Sequence, residues 1–422
     1  MSKKEWKNPD WFPAQGNKAC LLKWSQVTLS LWDNTSSSCH RNGMSPIGEN
    51  FDFHNEPKWV EHREKMLKGN WPSDGWGCEH CRDQEAIGGT SDRMQWLSNE
   101  NNKRYVPKEL FNNPTATRIK PTQVSMHFNN KCNLKCVYCG PQYSSAWVKE
   151  MQKYEPDHSF IKDVDIKENT YQDRLKKFYK WMENNYSSLK AFDLLGGEPF
   201  IQQETWDCVD WMIDHPNPEC DIEIYSNMEV KPKLFKRGCE KLKELSKTVK
   251  EVVFVISVDT VGKESEYIRF PHNWDVMEEN INYLIYECPE IIPTMNWTVT
   301  NLSLKNTPEL VKKVIEWNKH RYVSVNYNRC HDPHWFDPKI MPEGFYDDVI
   351  AQLKELNQTM YQGKNTAYID YVDTIFKEIN ETPADYEAIK MLKWRLTELD
   401  KRRGTNWQET FPWLTTVGHN RI

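Results

Sequence analysis

From about residue 121 onward, short apolar or β-branched runs alternate with longer stretches of helical periodicity, and few architectures accept that order. Candidate strands fall at 123–128, 192–195, 222–226, 252–258, 295–300 and 323–327. Candidate helices separate them at 172–185, 204–215, 232–246, 274–286 and 308–319. Two strands joined through a packed helix run parallel, because the crossover returns the chain to the same end of the sheet. Six such strands predict an α/β chain with a parallel sheet, in a barrel or doubly wound. The first connection, about 130–190, is long, and its polar stretch at 155–169 reads as a loop or lid.

The flanks differ. Residues 1–19 read as a polar arm. From Trp24 to Trp32, Val27, Leu29 and Leu31 alternate with Thr28 and Ser30, a strand pattern that ends in the turn signal Asp33-Asn34-Thr35-Ser36. A short helix is expected at 57–68. After Cys330 the periodicity is helical only, with helices expected in 343–358, 366–380 and 384–402. The expected division is an arm at 1–19, a small cysteine-rich α+β region at 20–106, a βα unit at 115–330 and a helical extension at 331–422.

Composition excludes several classes. A chain of 422 residues can bury a core without disulfides. Its 19 Trp, 18 Tyr and 16 Phe argue against disorder. A net charge of -6 gives no reason to expect bulk nucleic-acid binding. No run approaches the ~18 apolar residues of a membrane span. The start, Met1-Ser2-Lys3-Lys4-Glu5-Trp6, lacks the apolar segment of a secretory signal. A soluble, cytoplasmic protein is therefore expected. In a reducing compartment, 12 cysteines point to metal binding or catalysis rather than disulfides.

Cys132, Cys136 and Cys139 form a C-x3-C-x2-C run directly after the first strand of the βα region. Three thiolates on one loop can hold three corners of a cubane cluster and leave one iron open. Zinc is the competing occupant, although it would need a fourth ligand, and the next cysteine is Cys208. The following strand ends in Leu194-Leu195-Gly196-Gly197-Glu198-Pro199. Two glycines there let backbone approach a ligand, at the edge where parallel sheets and barrels bind.

These two motifs, in this order on consecutive strands, closely resemble the radical S-adenosylmethionine (SAM) superfamily. The resemblance covers about 121–330 and implies a partial, six-strand parallel βα barrel. It implies that Cys132, Cys136 and Cys139 hold a [4Fe-4S] cluster whose open iron chelates SAM. It places Tyr138 near the adenine, and Gly196, Gly197 and Glu198 at the methionyl amino group. Weaker matches follow at later strand ends. Asn227 lies in Tyr225-Ser226-Asn227-Met228, where Met228 replaces a usual glycine. Ser257 and Asp259 resemble a fourth-strand SAM contact, and Arg269 falls where relatives bind the SAM carboxylate. Asn301, beside Thr300, could line the same cavity. The family's glycine motif on the sixth strand is absent, and Val325-Asn326-Tyr327-Asn328 stands in its place.

Cys20, Cys39, Cys78 and Cys81 form a second set: two cysteines flanking the first strand and turn, then a C-x2-C pair. Either an iron–sulfur cluster or a structural zinc ion suits four thiolates, and His40 and His80 could replace a thiolate on zinc. The set is similar to the twitch form of the SPASM domain, which implies an auxiliary [4Fe-4S] cluster, here ahead of the barrel rather than behind it. Residues 84–93 read as a connection to the barrel. Cys208, Cys220, Cys239 and Cys288 read as packing residues. Cys330 closes the last strand beside His331, Asp332 and His334, either facing substrate or in a plain loop. Trp71, Trp76, Trp147 and Trp335 could line a groove or serve as packing.

The resemblance implies reductive cleavage of SAM to a 5′-deoxyadenosyl radical that abstracts hydrogen from a peptide or small-molecule substrate. The auxiliary cluster would assist electron transfer, and an electron donor such as flavodoxin or ferredoxin would be the partner. The reading from a different class is a non-enzymatic iron–sulfur carrier or a zinc-stabilised binding protein.

Overall fold

A computed structural model describes residues 6–73, 75, 77–162, 164–361, 376 and 379–418. Its centre is a nine-stranded sheet. The strands are β1 (Gln26–Ser30), β2 (Thr35–Ser37), β3 (Ser45–Pro46), β4 (Gln123–His127), β5 (Ala191–Leu195), β6 (Asn217–Ser226), β7 (Val249–Val258), β8 (Ile292–Val299) and β9 (Ser324–Arg329). Their order is β3-β2-β1-β4-β5-β6-β7-β8-β9. All six strands expected after residue 121 form, and they run parallel in chain order.

One strand more joins them than the sequence led us to expect. β1 pairs parallel with β4, with Gln26 opposite Gln123 and Ser30 opposite His127. The six-strand count is therefore corrected to seven parallel strands, with β2 and β3 added antiparallel at the edge. The cysteine-rich region thus shares its sheet with the βα unit. It also keeps a smaller core of its own around Phe12, Leu21, Trp24, Met66 and Leu110. Phe12 and Ala14, on the expected arm, are buried in that core.

The pleat sorts side chains by parity. Val124, Met126, Phe192, Leu194, Ile222, Ile224, Phe254, Ile256, Met295 and Trp297 are fully buried beneath the helices. Burying such a side chain is worth about 1.5–3 kcal/mol, so register is strongly fixed. The opposite parity carries Ser125, Asp193, Glu223, Ser257 and Thr298 into the other face. His331, just past β9, lies close enough to Arg41 and His80 that both disfavour its protonation, adding to the effect of burial.

The polar stretch at 155–169 is not a free loop. Helices at Ser145–Tyr154, Ser159–Lys162 and Val164–Asn185 fill the connection. Arg174, on the last of these, donates to the carbonyl oxygens of Leu31 and Trp32 and fastens the crossover over β1. In the C-terminal extension, helices form at Asp347–Tyr361 and Tyr386–Arg403. Most of the helix expected at 366–380, and Trp76, lie outside the described residues. Among the described residues no helix is long and apolar enough to cross a membrane.

Candidate functional site

The carboxyl ends of β4 to β8 surround a cavity of about 270 Å³. Cys132, Cys136 and Cys139 line it, on the loop that leaves β4. Two backbone bonds pin this loop to the segment carrying Arg269: Lys135 N–H to Phe270 O at 2.7 Å and Val137 N–H to Ile268 O at 2.8 Å. Trp147 Nε1 supports it from beneath by donating to Cys136 O at 3.0 Å. Burial pushes all three thiols up, Cys132 to about 12 with help from nearby Glu198.

Gly196 and Gly197 close the second side at left-handed φ of 84° and 58°. A Cβ on Gly197 would stand 2.3 Å from Lys131 O, so only glycine lets the β5 turn press against the cysteine loop. Gln202 locks the contact by donating to Lys131 O and Gly196 O.

Glu198 does not face the cavity as the motif reading expected. It is fully buried and accepts hydrogen bonds from Phe200 N–H, Ser226 Oγ and Asn227 N–H at 3.0, 2.9 and 2.6 Å. It ties the end of β5 to the end of β6. Burial raises it to about 7 against those donors. Asn227 does line the cavity, and its Nδ2 points at Cys132 Sγ (3.8 Å) and donates to Asn133 Oδ1 (3.0 Å). Met228 takes a left-handed φ of 62°, the backbone shape that the missing glycine would have supplied.

Tyr138 and Arg269 also line the cavity, and Asp259 stands behind them. The Tyr138 hydroxyl lies 2.9 Å from both Asp259 oxygens, and Arg269 Nη1 donates to Asp259 Oδ1 at 3.0 Å. Burial raises the Asp259 carboxyl, opposed by Arg269. Arg269 is 5% exposed, and its buried Nε has no hydrogen-bond partner. A guanidinium that lines a cavity suits an anionic acceptor. Ser257 lines the same wall.

Asn301 is elsewhere. It is fully buried and donates to Trp335 O at 2.8 Å, holding the segment after β9. Cys330 is buried in the main core, with its thiol pushed up to about 12 by burial. His334 pairs with Asp385 at the surface rather than facing the cavity. Trp147 is core packing, and Trp71 lies under Lys18 and Arg93. His127, Tyr143 and Thr298 line the cavity unanticipated. His127 and Thr298 occupy inward parity at their strand ends, a signal the period-two pattern carried. Burial lowers His127 to about 4, so its imidazole is neutral.

The second set also assembles. Cys20 interacts electrostatically with Cys39 and Cys81, and Cys39 and Cys81 each with Cys78. Two of the sulfurs meet an N–H: Arg41 N–H for Cys39 (3.5 Å) and Asn42 Nδ2 for Cys78 (3.8 Å). Such bonds favour thiolate over thiol. Burial opposes them and raises Cys39 to about 11. His40 and Arg41 instead engage Asp92, holding its carboxyl well down against its burial. Arg93 forks onto Glu85 at 2.9 and 2.7 Å, so the 84–93 segment braces this site. Among the described residues, no three His, Cys, Asp or Glu side chains are gathered tightly enough to hold a single metal ion.

The two sets sit at opposite ends of β1. His40 N–H reaches Gln26 at its start, whereas His127, paired with Ser30 at its end, lines the cavity. Four residue steps separate Gln26 from Ser30, about 13 Å of strand. No cysteine of the second set lines the cavity.

No family model and no curated protein matches the chain. A solved structure, of TYW1 with a lysine–pyruvate adduct bound, aligns with 55% of this chain and 70% of its own, at 12% identity and a TM-score of 0.28. A superposition this loose fixes neither fold nor function.

The residues fit an iron–sulfur cluster with SAM at the first cavity. Three thiols share one loop, a glycine cradle leaves no room for a Cβ, and the Arg269 side chain lines the same cavity. At the second site four thiols lie within electrostatic reach of one another, and two of the sulfurs meet an N–H.

Proposed function

We propose that the chain is a radical SAM enzyme acting on a peptide or small molecule, with a second metal–thiolate centre that serves electron transfer. The observation that carries this reading is one cavity, at the carboxyl edge of a parallel sheet, walled by Cys132, Cys136, Cys139, Gly196, Gly197 and Arg269. A bound cluster with SAM would supply one-electron cleavage and a hydrogen-abstracting radical.

The chain's own residues do the rest. Cys132, Cys136 and Cys139 would hold three irons. Arg269, steadied by Asp259, would take the SAM carboxylate. Gly196 and Gly197 would present backbone to the methionyl end. Glu198 contributes by fixing the β5 and β6 ends rather than by contact. Tyr138, held by Asp259, would border the adenine. Cys20, Cys39, Cys78 and Cys81 would hold the auxiliary [4Fe-4S] cluster. Its position beyond the cavity favours electron relay over contact with substrate, and a flavodoxin or ferredoxin would be the donor.

Anaerobic reconstitution with iron and sulfide, then assay of 5′-deoxyadenosine from SAM and reductant, tests the reading. Cys136→Ala should abolish the product, and Cys81→Ala should retain part of it. Wild-type protein that binds zinc firmly and no iron would sink the proposal.

A further inference from the structure

Lys23 is a buried lysine without a carboxylate among its hydrogen-bond partners. It is 1% exposed, on the helix Leu21–Ser25 that leads into β1. Its Nζ bonds to Ser38 Oγ at 3.0 Å, Asn42 Oδ1 at 2.8 Å and His62 Nδ1 at 2.9 Å. An ammonium has three donors, and these three partners use them all. None of the three is a carboxylate. The Trp59 ring, 5.1 Å away, adds only a quadrupole. Lysine is rarely buried to this degree unless an anion compensates it, because desolvating an ammonium costs several kcal/mol.

The structure supplies the direction in which that anion lies. Lys23 acts electrostatically on Cys39. Asn42 links it to a second sulfur: the Oδ1 that accepts from Lys23 fixes the amide so that Nδ2 points at Cys78 Sγ. One buried cation thus acts on Cys39 through its field and orients the group that faces Cys78. Four thiolates on a divalent ion, or on a cubane core of charge +2, leave a net charge of -2 by simple count.

We propose that Lys23 is the built-in counter-ion of the four-cysteine site, a buried ammonium that balances an anionic metal–thiolate centre on Cys20, Cys39, Cys78 and Cys81. The inference rests on the four-cysteine reading above. Lys23 is a positioning residue here, acting on the centre through its field and through Asn42. A purely structural lysine, merely cross-linking Ser38, Asn42 and His62, would support the fold equally with and without metal. A counter-ion would not. Without metal no charged centre faces Lys23. With metal it is paired.

The test uses the full chain with Cys132, Cys136 and Cys139 changed to Ala, so that only the second site reports. Lys23→Met and Lys23→Arg are compared with this parent for bound iron, zinc and sulfide, for melting temperature with and without metal, and for midpoint potential. Lys23→Met should leave the metal-free melting temperature unchanged or raised, and should lower that of the loaded protein by several degrees. It should move the midpoint potential of an iron-loaded site downward, since a lost positive charge disfavours the added electron. Lys23→Arg should keep most of the loaded-state stability. If zinc fills the site, the opposed melting shifts remain the readout. Equal loss of stability in both forms, with metal content and potential unchanged, would overturn the inference and leave the four-cysteine site standing. A parent protein that takes up no metal would remove the site and the inference together.

Discussion

Arg403 Nε lies 3.2 Å from Glu150 Oε2, and both side chains are only 1% exposed. The pair joins the last residue of the helix Tyr386–Arg403 to the helix Ser145–Tyr154 behind the cysteine loop. Lys135, between Cys132 and Cys136, reaches the same Glu150 oxygen at 2.6 Å. The Arg403 guanidinium also stacks on Trp147 at 4.7 Å. The C-terminal extension is therefore wired to the cysteine loop through one carboxylate. Arg403 and Lys135 together hold the Glu150 carboxyl below its usual range despite burial.

Arg403→Ala should destabilise the protein by about 3 kcal/mol, the cost of breaking a buried pair from one side. Lys135 keeps Glu150 partly compensated, so Glu150→Ala, which strands two cations, should cost more. Urea unfolding of the two variants checks the order. Equal midpoints would mean that Lys135 and Arg403 do not share the carboxylate.

Gly197→Ala should disturb the first cavity. Its φ of 58° strains any L side chain, and the new Cβ would meet Lys131 O at 2.3 Å. A destabilisation above ~1 kcal/mol is expected, with reduced iron content after reconstitution. Gly262→Ala is the control: it has φ 63° but open space around the Cβ. Its iron content should match wild type. If both variants lose iron equally, left-handed backbone alone, not the pressed loops, is responsible.

Much of this was legible in the sequence for physical reasons. Period-two runs such as Phe192–Leu195 are half-buried strands, and the helices between them force parallel order. The cysteine spacings announce themselves because few other residues do their chemistry. What escaped was set by distance along the chain. β1 reads as a strand, but its pairing of Gln26 with Gln123 is non-local and leaves no local mark. Arg403 and Glu150 are 253 residues apart, and each alone resembles a helical surface charge. Glu198 escaped for another reason. A glutamate after two glycines has the same identity whether it points into a cavity or, as here, folds back onto Ser226 and Asn227.

Stability should fall as pH rises toward about 8, through Asp193. This residue is the register partner of Glu223 across β5 and β6, on the inward parity. Burial first, then the Glu223 charge, raises Asp193 to about 8, and the Ser125 hydroxyl at 2.7 Å opposes only part of that. An unfolded Asp titrates near 3.9. Between about pH 4 and pH 8 the unfolded chain therefore binds fewer protons than the folded one, so stability declines as pH increases. Asp193→Asn, neutral throughout, should flatten the decline. Urea midpoints at pH 5 and pH 8 measure it, and an unchanged slope in the variant would exclude Asp193 as the source.

Arg269 and Asn301 should separate binding from scaffolding. Both are buried, and both were candidates for one cavity. Only Arg269 lines it, with Nε unpartnered, while Asn301 spends its amide on Trp335 O and Asp337 O. Arg269→Lys keeps a charge near Asp259 but loses the planar fork that suits a carboxylate. It should weaken SAM binding to the reconstituted protein by at least about tenfold, the loss of one charged hydrogen bond, with little change in iron content. Asn301→Ala should leave SAM affinity as it is and lower the unfolding free energy by about 1 kcal/mol, because the carbonyls it caps lose a donor. Isothermal titration with SAM and urea unfolding, run on both variants, give four values. A weakened SAM affinity in Asn301→Ala would return it to the binding site. An unaltered affinity in Arg269→Lys would take Arg269 out of the binding site.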